Sequence, residues 1–119
     1  MLSLPPTVRI FLAVEPADMR KGFDGLSQLV RERIAQDPLS GHLYVFRNRR
    51  RDRIKVLYWD RDGLALWYKR LEEGTFRFPE AVDGRVEVTP AEMAAILEGI
   101  DLRGARRQPR FALPSPQPA

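Results

Sequence analysis

The residues of this chain with the most chemistry to offer are arginines. Arg47, Arg49, Arg50, Arg51 and Arg53, with Lys55, fall within nine residues (RNRRRDRIK) beside a single acid, Asp52, a local net charge of +5. A guanidinium is planar and pairs two phosphate oxygens at once, so this density is the chemistry of polyanion binding. On a hairpin tip such side chains fan outward, and several reach one phosphate backbone together. Lys69 and Arg70 extend the basic set, and Trp59, Trp67 and Tyr68 offer stacking faces for bases, as on sheet-surface nucleic-acid binders. Two plainer readings stand beside this one. A charge run also serves as a solvated loop, and half-buried strands are rich in aromatics whether or not a base ever stacks on them.

Other constellations fall short of a catalytic or metal site. Asp60-Arg61-Asp62-Gly63 begins like a calcium loop, but the twelfth position, where that loop needs a glutamate, is Leu71. A hairpin turn accounts for it better. A two-carboxylate-plus-lysine nuclease would use Asp60, Asp62 or Glu72 beside Lys69, yet no acid stands two positions before any of the three lysines. His42 has no serine or carboxylate at a motif spacing, and Gly22 and Gly25 lie inside a helical pattern instead of after a strand. With no cysteine and one histidine, thiolate metal sites, iron–sulfur clusters and cysteine nucleophiles are excluded. The expectation is a binding domain without catalytic residues, metal or cofactor.

The 119 residues carry 20 basic and 16 acidic side chains, and the distribution matters more than the net of +4. Arg103 to Arg110 (RGARRQPR) holds a second local net of +4, which leaves the remainder of the chain slightly acidic. An acidic body with two basic patches is the pattern of a polyanion binder. Arginine supplies 17 of the 20 cations, which suits phosphate recognition and equally a GC-rich genome. No apolar run approaches the roughly 20 residues of a membrane span, and the first residues lack a basic leader, so a cytoplasmic protein with no small-molecule substrate is expected.

The elements that must position these groups are legible as periodicities. Val8 to Val14 alternates as a strand, with no partner indicated. Asp18 is placed to cap a helix carrying Met19, Phe23, Leu26, Leu29, Val30 and Ile34 on one stripe, with Arg20, Lys21, Asp24, Arg31 and Glu32 outside. Strands follow over His42–Arg47, Arg53–Trp59 and Leu64–Leu71, with a shorter one over Thr75–Phe78; short polar turns join them into an antiparallel meander with the helix on one face. Arg85–Val88 reads as a further strand. Thr89-Pro90-Ala91-Glu92 is a capping box with proline at the first helical position, opening a short helix over Met93, Ile96, Leu97 and Ile100 that ends near Gly99. The expected fold is α+β: a mostly antiparallel sheet of three to five strands, one long helix packed on it and a short C-terminal helix. Residues 1–102 form that single domain, and 103–119 form a basic, proline-rich, disordered tail.

Several runs are too unusual to be generic: Asp18-Met19-Arg20-Lys21-Gly22-Phe23-Asp24-Gly25-Leu26, Leu43 to Arg47, Arg53 to Asp60, Trp67 to Leu71, and Leu97-Glu98-Gly99-Ile100-Asp101. In this order, over roughly Val8 to Asp101, the chain resembles the small TnpB (Orf2) accessory proteins of insertion sequence sixty-six type bacterial transposable elements. These share only a name with the RNA-guided nucleases also called TnpB. Leu102 stands where an aromatic often follows the final Gly-Ile-Asp, and the arginine and proline tail is particular to this chain. The resemblance implies a role in DNA transposition beside an element-encoded DDE transposase and a second small accessory protein, with no active site. It makes Asp18, Arg20, Lys21 and Asp24 candidates for partner docking and the Arg47–Asp60 region a candidate for DNA contact.

Overall fold

Apolar side chains at nearly every position of IFLA and LYVF leave these strands no face for solvent, so both sides of their sheet must be covered. A computed structural model describes residues 7–79 and 85–99. Strands β1 (Ile10–Ala13), β2 (Leu43–Arg47), β3 (Arg53–Asp60), β4 (Gly63–Arg70) and β5 (Arg85–Val88) form one sheet in the order β4-β3-β2-β1-β5. Helix α1 (Phe23–Leu29) continues into a π-helical turn, Val30–Ile34, and α2 spans Pro90–Leu97. The architecture is α+β, as the periodicities require. Ile100 and the basic tail lie outside the described residues, as does the proposed boundary near residue 102.

The first strand finds its place in the middle of the sheet. β1 runs parallel to β2, with Ile10 opposite Leu43 and Leu12 opposite Val45, and antiparallel to β5. The connection from β1 through α1 to β2 is long enough for the crossover that parallel strands need. The meander β2-β3-β4 is antiparallel throughout, with Val45 opposite Val56 and Val56 opposite Trp67. Strand alternation then sorts the core in two. Phe11, Tyr44, Phe46 and Leu57 meet Leu26, Leu29, Val30 and Ile34 under α1. Ile10, Leu12, Val45, Ile54, Val56 and Val88 meet Phe76, Met93 and Ile96 on the other side. The helix was expected to cover one face; α2 and the segment around Phe76 cover the second.

Two local expectations are corrected and a third holds. The long helix begins at Phe23, not after Asp18, because Asp18 is engaged in a turn of its own; Met19 therefore lies outside the helix, and Phe23, expected on the buried stripe, is 47% exposed. Gly22 occupies the N-cap position with no side-chain cap, and Asp24 in the first turn complements the helix dipole. At the far end Ala35 takes a left-handed conformation (φ 60°), and the Gln36 amide closes on Val30 O at 3.3 Å. Second, Thr75–Phe78 forms no regular element and pairs with no strand among the described residues. The Glu72-Glu73-Gly74 bend, with Gly74 at φ 81°, swings the chain across the end of the sheet, where the Phe76 amide bonds Arg51 O at 2.7 Å. Third, the capping box at Thr89 forms as the motif dictates, with the Glu92 amide donating to Thr89 Oγ1 and the Thr89 amide to Glu92 Oε1.

Phe76 is fully buried although its segment belongs to no regular element. Phe76→Ala should therefore destabilise the domain by about 3–5 kcal/mol, read as the loss of urea midpoint at constant m; a cost below about 1 kcal/mol would show that the segment is not part of the core.

Candidate nucleic-acid interface

The arginine run forms the turn between β2 and β3, and Asn48 sets its shape. The Asn48 side chain donates to Asp52 Oδ1 (2.6 Å) and accepts the Arg53 amide (3.0 Å), while its carbonyl accepts the Arg51 amide (3.2 Å). Arg51 sits in the left-handed region at φ 64° to complete the turn. A second set of bonds comes from outside the hairpin: the Leu71 amide reaches Asp52 O at 2.8 Å and the Phe76 amide reaches Arg51 O. The tip is thus braced from both sides. Asp52 is held below the usual carboxylate range by the Asn48 hydrogen bond first, with Arg50 and Arg53 acting in the same direction.

The residues expected to touch nucleic acid divide on this frame. Arg49, Arg50 and Arg51 are exposed, and none takes part in the ion pairs found among the described residues. Arg53 is half-buried and donates to the Tyr68 hydroxyl at 3.2 Å. Arg70, opposite Arg53 in the ladder, pairs with Glu72 at 3.0 Å, and Lys69 is exposed on the other face of β4. Arg47 turns inward. It donates to Val14 O (2.8 Å) and Asn48 O (3.2 Å), lies 5.9 Å from the Phe78 ring centre, and is pushed below the usual arginine range by burial first and then by Arg51 and Arg49.

Lys55 does not belong to this surface. It is only 7% exposed, and its ammonium donates to Met19 O (2.7 Å) and Lys21 O (2.9 Å) while lying 4.7 Å from the Tyr68 ring centre. A buried ammonium must spend its donors internally, and two backbone carbonyls absorb them here. Of the aromatics, only Tyr68 lies beside the arginines with an accessible ring, at 46% exposure. Trp67 is half-buried against the cluster under α2. Trp59 stands at the opposite end of β3, six residues and roughly 20 Å from Arg53. Asp60 and Asp62 flank a tight hairpin turn in which Arg61 adopts φ 61°. His42 accepts the Arg9 amide on Nδ1 at 3.0 Å and packs edge-on to Phe11.

Residues 8–107 match the family model described as IS66 Orf2 like protein. The chain belongs to the IS66 Orf2-like family. Two relatives from Sinorhizobium fredii are similar over nearly their whole length. The uncharacterized protein y4jC is 39% identical over 102 residues, covering 86% of this chain and 87% of its own. The uncharacterized protein y4hO is 40% identical over 103 residues, covering 87% and 90%. No solved structure matches. Membership makes this Orf2-like protein an accessory protein of insertion-sequence transposition.

In this Orf2-like protein the Asp18–Leu26 run is a turn leading into a helix. Asp18 Oδ1 accepts the Arg20 amide at 2.9 Å, its carboxylate takes the Arg20 guanidinium on both oxygens, and the Lys21 amide closes on Asp18 O at 3.0 Å. Lys55 secures this turn to the sheet from below. Gly25 has a spatial reason: a Cβ there would sit 3.1 Å from Lys21 Cβ and Cγ, so the lysine stem lies across a bare backbone. Arg20, Lys21, Phe23 and Asp24 all remain exposed around it. No residue-type signal marked Lys55 as the anchor; its neighbours in the alternation, Leu57 and Phe46 across the ladder, did mark its face as apolar.

Two outcomes follow. Lys55→Met should cost about 2–3 kcal/mol, since two carbonyls lose a charged donor, and should leave the salt dependence of any DNA binding unchanged; a changed salt slope in a folded variant would return Lys55 to the surface set. The Asp18 carboxyl, lowered to about 2 chiefly by the Arg20 hydrogen bonds, should titrate near that value by NMR and move back toward 3.8 in Arg20→Ala. Because the folded value is the lower one, the contribution is complete above pH ~4 and disappears as pH falls from there through about 2.

Proposed function

We propose that this accessory protein acts in transposition by binding nucleic acid through the β2–β3 hairpin, with element-end DNA or a nucleoprotein intermediate as its target. The observation that carries the reading is the set of three consecutive exposed arginines without ion-pair partners among the described residues, on a turn braced by five backbone and side-chain hydrogen bonds. Like charges held together cost free energy that a polyanion returns. Because the turn is already ordered, little conformational freedom is lost when phosphates engage it. Arg53, Arg70 and the exposed ring of Tyr68 continue the surface along the sheet, where phosphate contacts position the strand and the ring can stack on a base.

A second reading rests on Phe23. It is an exposed aromatic at the head of α1, bordered by Arg20, Lys21 and Asp24, within the Asp18–Leu26 run. An apolar anchor with a charged rim suits docking to the DDE transposase or to the second accessory protein. Phe23→Ala would then abolish co-purification with one of these from nuclease-treated lysate and leave DNA affinity intact.

Fluorescence anisotropy over a salt series with labelled element-end duplex, scrambled duplex and single strand tests the leading reading. Arg49→Ala/Arg50→Ala/Arg51→Ala should weaken binding to all three probes and reduce the slope of log affinity against log salt by up to about 3 units. Wild-type protein that fails to bind at low salt, or a triple variant with the parent slope, overturns it.

A further inference from the structure

We propose that β4 is a self-association edge, pairing antiparallel with β4 of a second copy about a two-fold axis at Leu66. The inference does not need the nucleic-acid reading, although Tyr68 and Arg70 belong to both surfaces, and it begins with where the sheet stops. β4 is the outermost strand, eight residues long, and among the described residues no strand lies beyond it. The segment expected as a further strand, Thr75–Phe78, bonds the β2–β3 turn through the Phe76 amide instead. Leu64, Ala65, Leu66 and Trp67 are each only partly covered, so β4 presents unfinished apolar surface on both faces along an open ladder.

The register of β3 and β4 fixes which groups point outward. The two-residue turn Arg61-Asp62 closes on the pair Asp60–Gly63, which makes Tyr58–Ala65, Val56–Trp67 and Ile54–Lys69 the hydrogen-bonded pairs. The amides and carbonyls of Leu64, Leu66, Tyr68 and Arg70 are therefore directed to the free edge. For two copies to extend one sheet with continuous faces, residues of equal parity must oppose one another. An axis at Leu66 meets both conditions. It sets Leu66 against Leu66, Leu64 against Tyr68, Ala65 against Trp67 and Asp62 against Arg70, each heterologous pair formed twice.

Charge selects this register and this partner. Lys69 and Arg70 at the end of an edge strand repel an unselected apolar strand. In the self-paired register Arg70, which pairs with Glu72 of its own chain at 3.0 Å, also comes opposite Asp62 of the partner's turn, and Lys69 meets Gly63, which has no side chain to clash. An axis at Ala65 places Arg61 opposite Lys69, and an axis at Trp67 leaves Arg70 opposite Leu64. The small residue Ala65 opposite Trp67 gives the indole room, and the two Leu66 side chains meet on the face shared with Leu57.

Sedimentation of the full chain over a concentration series tests the proposal, with circular dichroism confirming that each variant is folded. Wild-type protein should form a dimer. Asp62→Arg and Arg70→Asp should each raise its dissociation constant by about tenfold or more, and the double variant should recover most of that loss. The chain has no cysteine, so single introduced thiols report the register directly. Leu66→Cys should give a disulfide-linked dimer on mild oxidation, whereas Leu64→Cys, whose two copies lie about 13 Å apart in this register, should not. The triple arginine variant should dimerise like wild type. A chain that stays monomeric at every concentration, a dimer indifferent to both charge reversals, or cross-linking at Leu64 as readily as at Leu66 overturns the proposal.

Discussion

Two-sided burial of the central strands is the constraint from which the rest of the molecule follows. β1 and β2 must be apolar at almost every position because α1 covers one face and α2 with Phe76 covers the other. Phe11 and Tyr44 stack at 5.7 Å on the α1 side, while Ile10 and Leu43 oppose each other on the α2 side. Such strands cannot tolerate a free charge, since an unpaired ammonium or carboxylate in an apolar layer is far more costly than any single contact is favourable. The polar residues are consequently displaced to the ends of the strands. The arginine density at one turn is in part a consequence of this exclusion, and its chemistry is available because the sheet behind it is rigid.

Among the described residues Lys55 is the one cation in the buried class, and the manner of its burial connects the sheet to the Asp18–Leu26 run. The ammonium is held by the carbonyls of Met19 and Lys21, which the sequence brings there by a turn at Asp18-Met19-Arg20-Lys21. That turn in turn depends on Asp18 bonding Arg20 and its own backbone, and on Gly25 leaving space for the Lys21 stem. A chain of local conditions therefore accounts for residues that would otherwise read as a docking motif alone. What it leaves unexplained is Phe23: nothing in the packing requires a large apolar side chain there, with nearly half of its surface in solvent.

Elements whose pattern is decided locally were legible in the sequence. The capping box at Thr89, the hairpin turns at Asn48–Asp52 and Asp60–Gly63, and the alternation of β2, β3 and β4 all stand as the periodicities indicate. The misreadings share a different cause, namely competition decided by tertiary partners. Asp18 has an ideal capping side chain, but a neighbouring guanidinium two residues on captures it, so the helix starts at Phe23. Thr75–Phe78 alternates like a strand, yet Phe76 is worth more in the core under the hairpin than on the edge of β4. Lys55 looked like one more cation in a basic run because nothing in its own type reveals which carbonyls await it. Of the candidate site, the exposed arginines and Tyr68 were recoverable from composition and alternation; their separation from Trp59 and Trp67 was not, because it depends on strand length and on which face α2 covers.

The diversion of Thr75–Phe78 also links the two surfaces of the molecule. The segment supplies the Phe76 amide that bonds Arg51 O, and Leu71, at the end of β4, supplies the amide that bonds Asp52 O. By not pairing with β4, it leaves that strand's outward amides without a ladder among the described residues. One conformational choice thus orders the basic hairpin and opens the edge. With β4 paired to its own copy, the two hairpins lie at opposite ends of a ten-stranded sheet, since antiparallel pairing reverses the strand direction across the axis. A two-fold protein with one phosphate-binding tip at each end can contact two separate stretches of nucleic acid, and each tip keeps its own bracing because neither Leu71 nor Phe76 is consumed by the pairing. The arginine tip and the β4 edge meet at Tyr68 and Arg70, which belong to both surfaces, whereas Arg49, Arg50 and Arg51 stand on the turn, clear of the pairing.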